Sequence, residues 1–213
     1  EVEGERTGID PDSWVSIRDH SWGIRPGVGL PIPGLPRGPR PTHTMLSWFP
    51  MLMERADGTP YRLFAFYDHR TGPGFDHRRS QAEEEWPDGV HHFASVTQDL
   101  RFDDANRRLL GGTLTLIDTD GSTRPLTITP VGATGFHLGT GGYFGWNGRV
   151  LGQYVGDLVV DGEKVEGCDQ PDVARQVHQL RDLLVRVEDP VGGGSGYGNI
   201  ETMAVGEFPE LGL

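Results

Sequence analysis

The densest group of reactive side chains lies near the start of the chain, in the run RDHSWGIR at residues 18–25. Six of its eight residues can ionise, hydrogen-bond or stack. If the run is extended, its side chains alternate between two faces, and Asp19 shares a face with Val15 and Ile17. A partly shielded carboxyl group in that setting suits proton transfer. We therefore predict Asp19 as a general acid or base and His20 as the residue that orients it or relays its proton.

The flanking residues of the same run suggest how a substrate would be held. Arg18 and Arg25 offer positive charge beside Asp19, and the ring face of Trp22 can stabilise a developing cation. We predict Trp22 and Arg25 as substrate-binding residues. A second interpretation stays open, in which a buried Asp–Arg pair anchors a strand and Trp22 packs in the core.

Apolar residues fill both faces of a strand predicted from Thr44 to Glu54. Its odd positions hold three of the four methionines of the chain. Methionine is unbranched and adaptable, so it suits the wall of a cavity that holds an apolar ligand. The residues predicted to contact such a ligand are Met45, Trp48, Phe49 and Met51. A packed core between two sheets explains the same pattern and stays open as the alternative.

Histidines raise the question of a metal site. Tyr67 and His69 share one face of the next predicted strand, and we add them to the predicted cavity wall. The pairs Asp68-His69, Asp76-His77 and His91-His92 each supply one ligand at most, because adjacent strand residues point to opposite faces. The sequence also has no HExxH spacing. We predict no metal site and no organic cofactor.

Turn dipeptides position these residues by dividing the chain into short strands. Asp57-Gly58, Asp120-Gly121, Asn147-Gly148 and Asp161-Gly162 favour the positive φ of a hairpin turn. Their spacing predicts an all-β antiparallel fold, either a barrel or a sandwich. The predicted strands are Thr44 to Glu54, Tyr61 to His69, Val90 to Leu100, Arg107 to Asp118, Ser122 to Val131, Gly142 to Trp146, Arg149 to Gln153, Gln153 to Val160 and Glu163 to Glu166.

The remaining segments are predicted as one helix, a final pair of strands and two loops. Apolar spacing favours a short helix near 172–181. A strand then returns through a loop at 192–198 into a last strand from Asn199 to Val205. Two segments without periodicity are predicted as surface loops: 26–41, which has six prolines, and 70–89, which has three consecutive glutamates.

Net charge and composition exclude several classes of partner. The chain has 213 residues, with 19 basic and 31 acidic side chains and a net charge of −12, whereas binding a phosphate backbone needs a basic face. Its one cysteine, Cys168, excludes an internal disulfide and favours a reducing compartment. No apolar run reaches the roughly 18 residues of a membrane helix. We predict a cytoplasmic protein with no nucleic-acid partner and no membrane span.

The run RDHSWGIR, preceded by DPDSW at residues 10–14, resembles a motif of uncharacterised actinobacterial proteins. These belong to the lipocalin-like superfamily of carotenoid 1,2-hydratase, also called hydroxyneurosporene synthase. The segment GYGNIE at 196–201 is similar to the closing strand of that superfamily, which also ends in Glu. The resemblance implies a lipocalin-like β-barrel or sandwich and makes Glu201 the candidate for a second acid–base group.

The same resemblance implies a domain organisation, because members of the superfamily hold two lobes in one chain. It divides this sequence into a lead-in with the RDHSWG-like strand at 1–25, a Pro-rich loop at 26–41 and a lipocalin-like β domain at 42–213. This β domain would be the second lobe of a two-lobe protein. A preceding lobe, a second chain or a homodimer would then complete the functional unit.

The residues and the resemblance together predict an acid–base enzyme. It would be a lyase of the hydratase type, or an isomerase or cyclase, acting on an apolar isoprenoid- or steroid-like molecule in a barrel cavity. Its catalytic residues would be Asp19, His20 and Glu201. Two alternatives stay open: a non-catalytic module that binds a lipid or another hydrophobic ligand, and one part of a larger two-lobe enzyme.

Overall fold

The computed structural model describes residues 4, 6, 8–10, 33–34, 41–132, 145, 148–150, 152–160, 164–167, 170–173 and 181–208. Within these residues the secondary structure consists of nine strands and a helical turn at 171–173. The strands are β1 (His43–Arg55), β2 (Pro60–Gly72), β3 (Phe75–Trp86), β4 (Gly89–Phe93), β5 (Ser95–Phe102), β6 (Leu109–Ile117), β7 (Thr123–Pro130), β8 (Arg181–Asp189) and β9 (Gly194–Val205).

The nine described strands form one antiparallel sheet in the order β4-β3-β2-β1-β9-β8-β7-β6-β5. The sheet curls into a half-barrel, so that β3 near one edge approaches β5 at the other. There the hydroxyl of Ser80 donates to the carbonyl of Val96 at 2.8 Å and accepts from its N–H at 2.7 Å. The structure confirms the predicted all-β antiparallel fold for the described part of the chain.

One face of the sheet forms the core, because side chains alternate along each strand. We call this face inner and the opposite face outer. On β1 the inner face carries Met45, Ser47, Phe49, Met51 and Met53, and none of them is more than 3% exposed. Leucine, isoleucine and valine side chains of β5 to β9 complete the packed interior.

Alternate residues on the inner face of β9 have no side chain, which lets neighbouring groups approach the strand closely. This explains the alternating glycines of the sequence from 192 to 198. A Cβ at Gly194 would collide with the hydroxyl of Tyr61, and one at Gly196 would collide with the carbonyl oxygen of Leu52. These positions therefore need glycine for close approach. The predicted loop at 192–198 was wrong from Gly194 onward, because a glycine-rich segment can be a strand where neighbouring side chains fill the space.

Two turn dipeptides lie where the sequence predicts them. Gly58 and Gly121 both have a φ of +84° and connect β1 to β2 and β6 to β7. Asn147 and both residues of Asp161-Gly162 lie outside the described part. The predicted strand 142–146, apart from Gly145, and most of the Pro-rich segment 26–41 also lie outside it.

The predicted loop at 70–89 was wrong, because β3 occupies most of it. Its charges alternate with the strand: Ala82 and Glu84 are buried on the inner face, whereas Glu85 is exposed. A tight turn at Pro73-Gly74, where Gly74 has a φ of +82°, joins β2 to β3. That dipeptide was an available signal for a hairpin.

Two other boundaries also differ from the predictions. The strand from Val90 to Leu100 is two strands, β4 and β5, which are separated at Ala94. Arg181, the predicted last residue of the helix, begins β8; residues 174–180 lie outside the described part.

The hairpin from Gln153 to Glu166 was wrong for its described residues, none of which belongs to a strand. Gly156 takes a φ of +143°, and Leu158 and Val160 are 87% and 91% exposed. These residues have the β-branched composition of a strand but no described neighbour with which to pair.

Candidate functional site

The predicted site residues fall into three groups. Asp19, His20, Trp22 and Arg25 lie outside the described residues, so their roles stay predictions. The other predicted residues lie on the adjacent strands β2, β1 and β9. Met45, Phe49, Met51, Tyr67 and His69 face inward, whereas Trp48 and Glu201 face outward.

The inward-facing residues of β1 lie in the packed core. Met45, Phe49 and Met51 are 3%, 1% and 2% exposed, which is the burial that the core interpretation of this strand predicts. Tyr67 and His69 are only partly buried. Nε2 of His69 lies 3.1 Å from Oδ1 of Asp76 and 3.2 Å from Nε of Arg78 on β3.

A row of register partners crosses the outer face at Trp48. Phe66, Trp48, Glu201 and Asp182 lie opposite one another in turn on β2, β1, β9 and β8. The row therefore places two carboxylates on neighbouring strands beside an indole ring. Oδ1 of Asp182 is buried and makes no hydrogen bond to a described group.

Apolar and aromatic side chains extend this outer row along β1 and β2. Leu46, Pro50 and Leu52 are half-buried on the same face as Trp48. The rings of Trp48 and Phe64 meet edge to face at 6.1 Å. An outer face of an antiparallel sheet is usually polar, so β1 is unusual in being apolar on both faces.

An open groove of about 1210 Å³ begins on the outer face close to this row. Leu52 and Tyr197, which are register partners on β1 and β9, lie on its wall together with Trp86. This pair is four residues, about 13 Å, along the strands from Trp48 and Glu201. Tyr197 is 53% exposed. The groove and the row therefore form one continuous surface of mixed apolar and charged side chains.

A network of charged side chains crosses the interior at the end of the sheet near the groove. Nε of Arg124 on β7 lies 3.0 Å from both carboxylate oxygens of Asp189, and its Nη1 donates to Glu84 on β3 at 2.8 Å. The hydroxyl of Tyr61 donates to Asp189 at 2.8 Å, and Arg55 donates to Glu84 at 2.9 Å. Because β3 and β7 are not neighbours in the sheet, Arg124 links strands across the half-barrel.

The network holds its groups in fixed charge states. Burial alone would raise the pKa of Asp189, but hydrogen bonds from Arg124, the N–H of Gly192 and Tyr61 outweigh burial and lower this pKa. Burial and the adjacent carboxylate raise the pKa of Tyr61. Burial would lower the pKa of Arg124, yet its bonds to Asp189 and Glu84 raise it. Paired groups that resist titration suit a structural brace better than a proton-transfer site.

Sequence reasoning missed this network, since its members are far apart in the chain and have no characteristic spacing. Glu84 offered one signal. Once residues 75–86 are recognised as a strand, alternation places Glu84 on the buried face beside Ala82. A buried carboxylate needs a cationic or hydrogen-bonding partner, but the sequence does not identify Arg124 as that partner.

Within the part of the chain that the structure describes, no three His, Cys, Asp or Glu side chains are grouped to hold a metal ion. No helix among the described residues has the length and apolar character needed to cross a membrane.

These features define an all-β protein built on one curled antiparallel sheet, with a packed inner face and an aromatic, carboxylate-bearing outer face. The chain belongs to a family described as "Family of unknown function (DUF8625)", whose model matches residues 1–213. No curated protein matches the chain.

Two solved structures are similar to this chain. Kievitone hydratase from Nectria haematococca is 10% identical, with a TM-score of 0.40, and the match covers 78% of this chain and 40% of that protein. An AttH-like protein from Nitrosomonas europaea is 13% identical, with a TM-score of 0.34, and the match covers 87% of this chain and 58% of that protein. The chain thus spans less than two thirds of either structure.

Proposed function

We propose that the outer face around Trp48 and Glu201 binds an apolar substrate and carries out acid–base chemistry on it. The enzyme would be a lyase of the hydratase type, or an isomerase or cyclase. The register pairing of Trp48 with Glu201 supports this proposal most directly, because the sequence selected the two residues on separate grounds. We place the predicted ligand site on the outer face and not on the inner face, because the inner side chains of β1 are packed in the core.

The shape of this face suits an elongated substrate. Apolar side chains flank Trp48 along β1, and the groove at Leu52 and Tyr197 continues in the same direction. An isoprenoid- or steroid-like molecule of suitable length would contact both parts of the surface. The aromatic rings would supply contact area with little loss of side-chain entropy.

Two neighbouring carboxyl groups can supply the chemistry of alkene hydration, one as the acid and one as the base. In the proposed reaction the protonated member of the Glu201–Asp182 pair gives its proton to an alkene carbon, and the π electrons form the new C–H bond. The face of Trp48 stabilises the carbocation that results. Water then forms a C–O bond to the cationic carbon, which is the neighbour of the protonated one, and gives up one proton to the carboxylate. Dehydration is the reverse sequence.

Asp19 and His20 remain in the proposal as acid–base residues on the evidence of their sequence run alone. If they act in the same site as Glu201, the effects of Asp19→Asn and Glu201→Gln on turnover will be strongly non-additive. If they act elsewhere, the logarithmic effects of the two substitutions will add. This double-mutant cycle tests the shared site without an assumption about its geometry.

A binding role without catalysis is the second candidate, and the groove favours it. Its size and the apolar side chains on part of its wall suit a ligand whether or not a reaction follows. A role as one lobe of a larger enzyme rests on the sequence resemblance. Native mass spectrometry of the protein from its natural source would reveal a preceding lobe or second chain as added mass, and a homodimer as a doubled mass.

Binding can be tested with the uncharged apolar dye N-phenyl-1-naphthylamine. We expect saturable enhancement of dye fluorescence by the wild-type protein and roughly tenfold weaker binding by Trp48→Ala, because loss of the indole removes about 1.4 kcal/mol or more of contact energy. Tyr154→Ala removes an aromatic side chain that is 76% exposed and lies outside the groove. Equal affinity of all three proteins would reject the outer face as a ligand site.

Catalysis can be tested by mass spectrometry of apolar alkenes and tertiary alcohols incubated with the protein. We expect products that differ by one water molecule and a loss of roughly 100-fold or more in turnover for Glu201→Gln. Glu207→Gln, an exposed carboxylate that does not line the groove, serves as the matched control. Dye binding without turnover of any alkene or alcohol would leave the binding role and reject the hydratase role.

A further inference from the structure

A row of polar side chains crosses the inner face of the sheet, where the surrounding core is apolar. Its members are successive register partners on five strands: Ser80, Tyr67, Ser47, Thr202 and Arg181. Ser47, Thr202 and Arg181 are 0%, 2% and 3% exposed. Buried polar side chains in native proteins nearly always have hydrogen-bond partners, so each member of the row needs one.

The two ends of the row have partners in the described structure. Ser80 is bonded to the backbone of Val96, and Arg181 donates to the carbonyl of Asn106. The centre of the row does not: Oγ of Ser47 is buried and bonds to no described group. Oε1 of Gln98, on the inner face of β5, is also buried without a described partner. A hydroxyl in that state carries its full desolvation penalty without compensation.

We propose that the centre of this row is an internal binding site for one hydroxyl group, bound by Ser47 between Tyr67 and Thr202. A hydroxyl can both donate to and accept from Oγ of Ser47, which a purely apolar ligand cannot do. The positive guanidinium of Arg181, next to Thr202 in the row, favours an oxygen over a cationic nitrogen.

Tyr67 and Ser80 are both partly exposed, so the row reaches the surface of the core on that side of Ser47. The hydroxyl can therefore belong to an internal water or to the end of an apolar alcohol that enters beside Tyr67. The site lies on the face opposite to Trp48 and Glu201, and it does not depend on the function proposed for the outer face.

The sign of one stability change tests the site. If Ser47 holds a bound hydroxyl, Ser47→Ala loses a hydrogen bond and lowers the Tm by about 2–4 °C. If the site is empty, the same substitution removes an uncompensated polar group and raises the Tm. Ser80→Ala serves as the control, because it removes a partly buried hydroxyl whose partner is known and must lower the Tm in either case.

Measurements on the wild-type protein identify the source of the hydroxyl and do not require a folded variant. A bound water gives a cross-peak between water and the Thr202 amide in a rotating-frame Overhauser spectrum. An alcohol site gives a rise in Tm with 1-hexanol but not with methyl pentyl ether, an isomer that accepts but cannot donate. Either result supports the proposal. The absence of both, or a raised Tm for Ser47→Ala, would overturn it.

Discussion

Asp189 is the residue whose charge the structure fixes most firmly. Its carboxylate accepts hydrogen bonds from Arg124, Tyr61 and the N–H of Gly192. We expect Asp189→Asn to destabilise the protein at neutral pH by about 1–3 kcal/mol, since the amide keeps the volume but removes the charge that faces a buried guanidinium. Urea unfolding of both proteins measures this difference, and Leu184→Ala at an exposed position of β8 controls for strand effects.

The same carboxylate gives a pH dependence of known sign. The pKa of Asp189 is lower in the folded protein than its ordinary value, so folding favours the ionised form. Its contribution to stability is therefore complete above the unfolded pKa of roughly 4 and is lost as the pH falls through the folded pKa. The stability difference between the wild type and Asp189→Asn should shrink below about pH 4. A difference that stays constant down to pH 2 would contradict the assignment.

Asp19 belongs to the run RDHSWGIR at residues 18–25. A catalytic role of this residue can be distinguished from a role in folding. Asp19→Asn keeps the side-chain shape and removes the titrating group. If Asp19 is catalytic, turnover should fall by roughly 100-fold or more while the Tm and dye binding stay unchanged. If it is the structural partner of a buried arginine, the variant should lose about 3–5 kcal/mol of stability. Measuring turnover and thermal unfolding on one preparation decides between the two.

At the scale of elements, the sequence patterns that proved reliable were local ones. Period-two alternation assigns β1 its two faces, and the dipeptides at Gly58 and Gly121 mark two hairpins. The segment 75–86 was not recognisable by composition, because β3 places most of its charges on the solvent side. The pairing of Trp48 with Glu201 could not be predicted from the sequence either, since it depends on the register between the first and last strands of the sheet.

The close approach of Gly194 on β9 to Tyr61 on β2 can be tested by substitution. Gly194→Ala places a Cβ against the hydroxyl of Tyr61, and we expect a loss of about 1–3 kcal/mol from overpacking. Tyr61→Phe also destabilises, because it removes the hydrogen bond to Asp189. In Gly194→Ala/Tyr61→Phe the closest contact is absent, and the new Cβ meets only Cε1 of residue 61 at 2.7 Å and the carbonyl oxygen of Glu54 at 2.8 Å. Part of the clash is thus relieved, so the double variant should be more stable than the sum of the two losses predicts. Additive losses in denaturant unfolding would show that the two residues do not meet.

For the whole molecule, the curl of the sheet is the feature that could not be predicted from the sequence. Strand register and side-chain alternation account for a sheet of nine strands among the described residues, but they do not determine how strongly that sheet curls. Contacts between strands that are distant in the sheet order hold the curl, among them Ser80 with Val96, and Arg124 with Glu84. The second contact joins strands that stand five places apart in the sheet order, so it responds to the global shape rather than to local pairing.

Arg124 should therefore be a main stabiliser of the curled sheet. Arg124→Met leaves the buried Glu84 and Asp189 carboxylates without their shared guanidinium, and we expect a loss of about 3–5 kcal/mol. Replacing all three charges, in Arg124→Met/Glu84→Gln/Asp189→Asn, should recover part of that loss, because no uncompensated charge then remains buried. Arg186→Met removes an exposed arginine that pairs with Glu188 at 3.4 Å and should cost less than about 1 kcal/mol. Urea unfolding followed by circular dichroism ranks the four proteins. A single variant as stable as the wild type, or a triple variant that recovers nothing, would show that the curl is held by the apolar core alone.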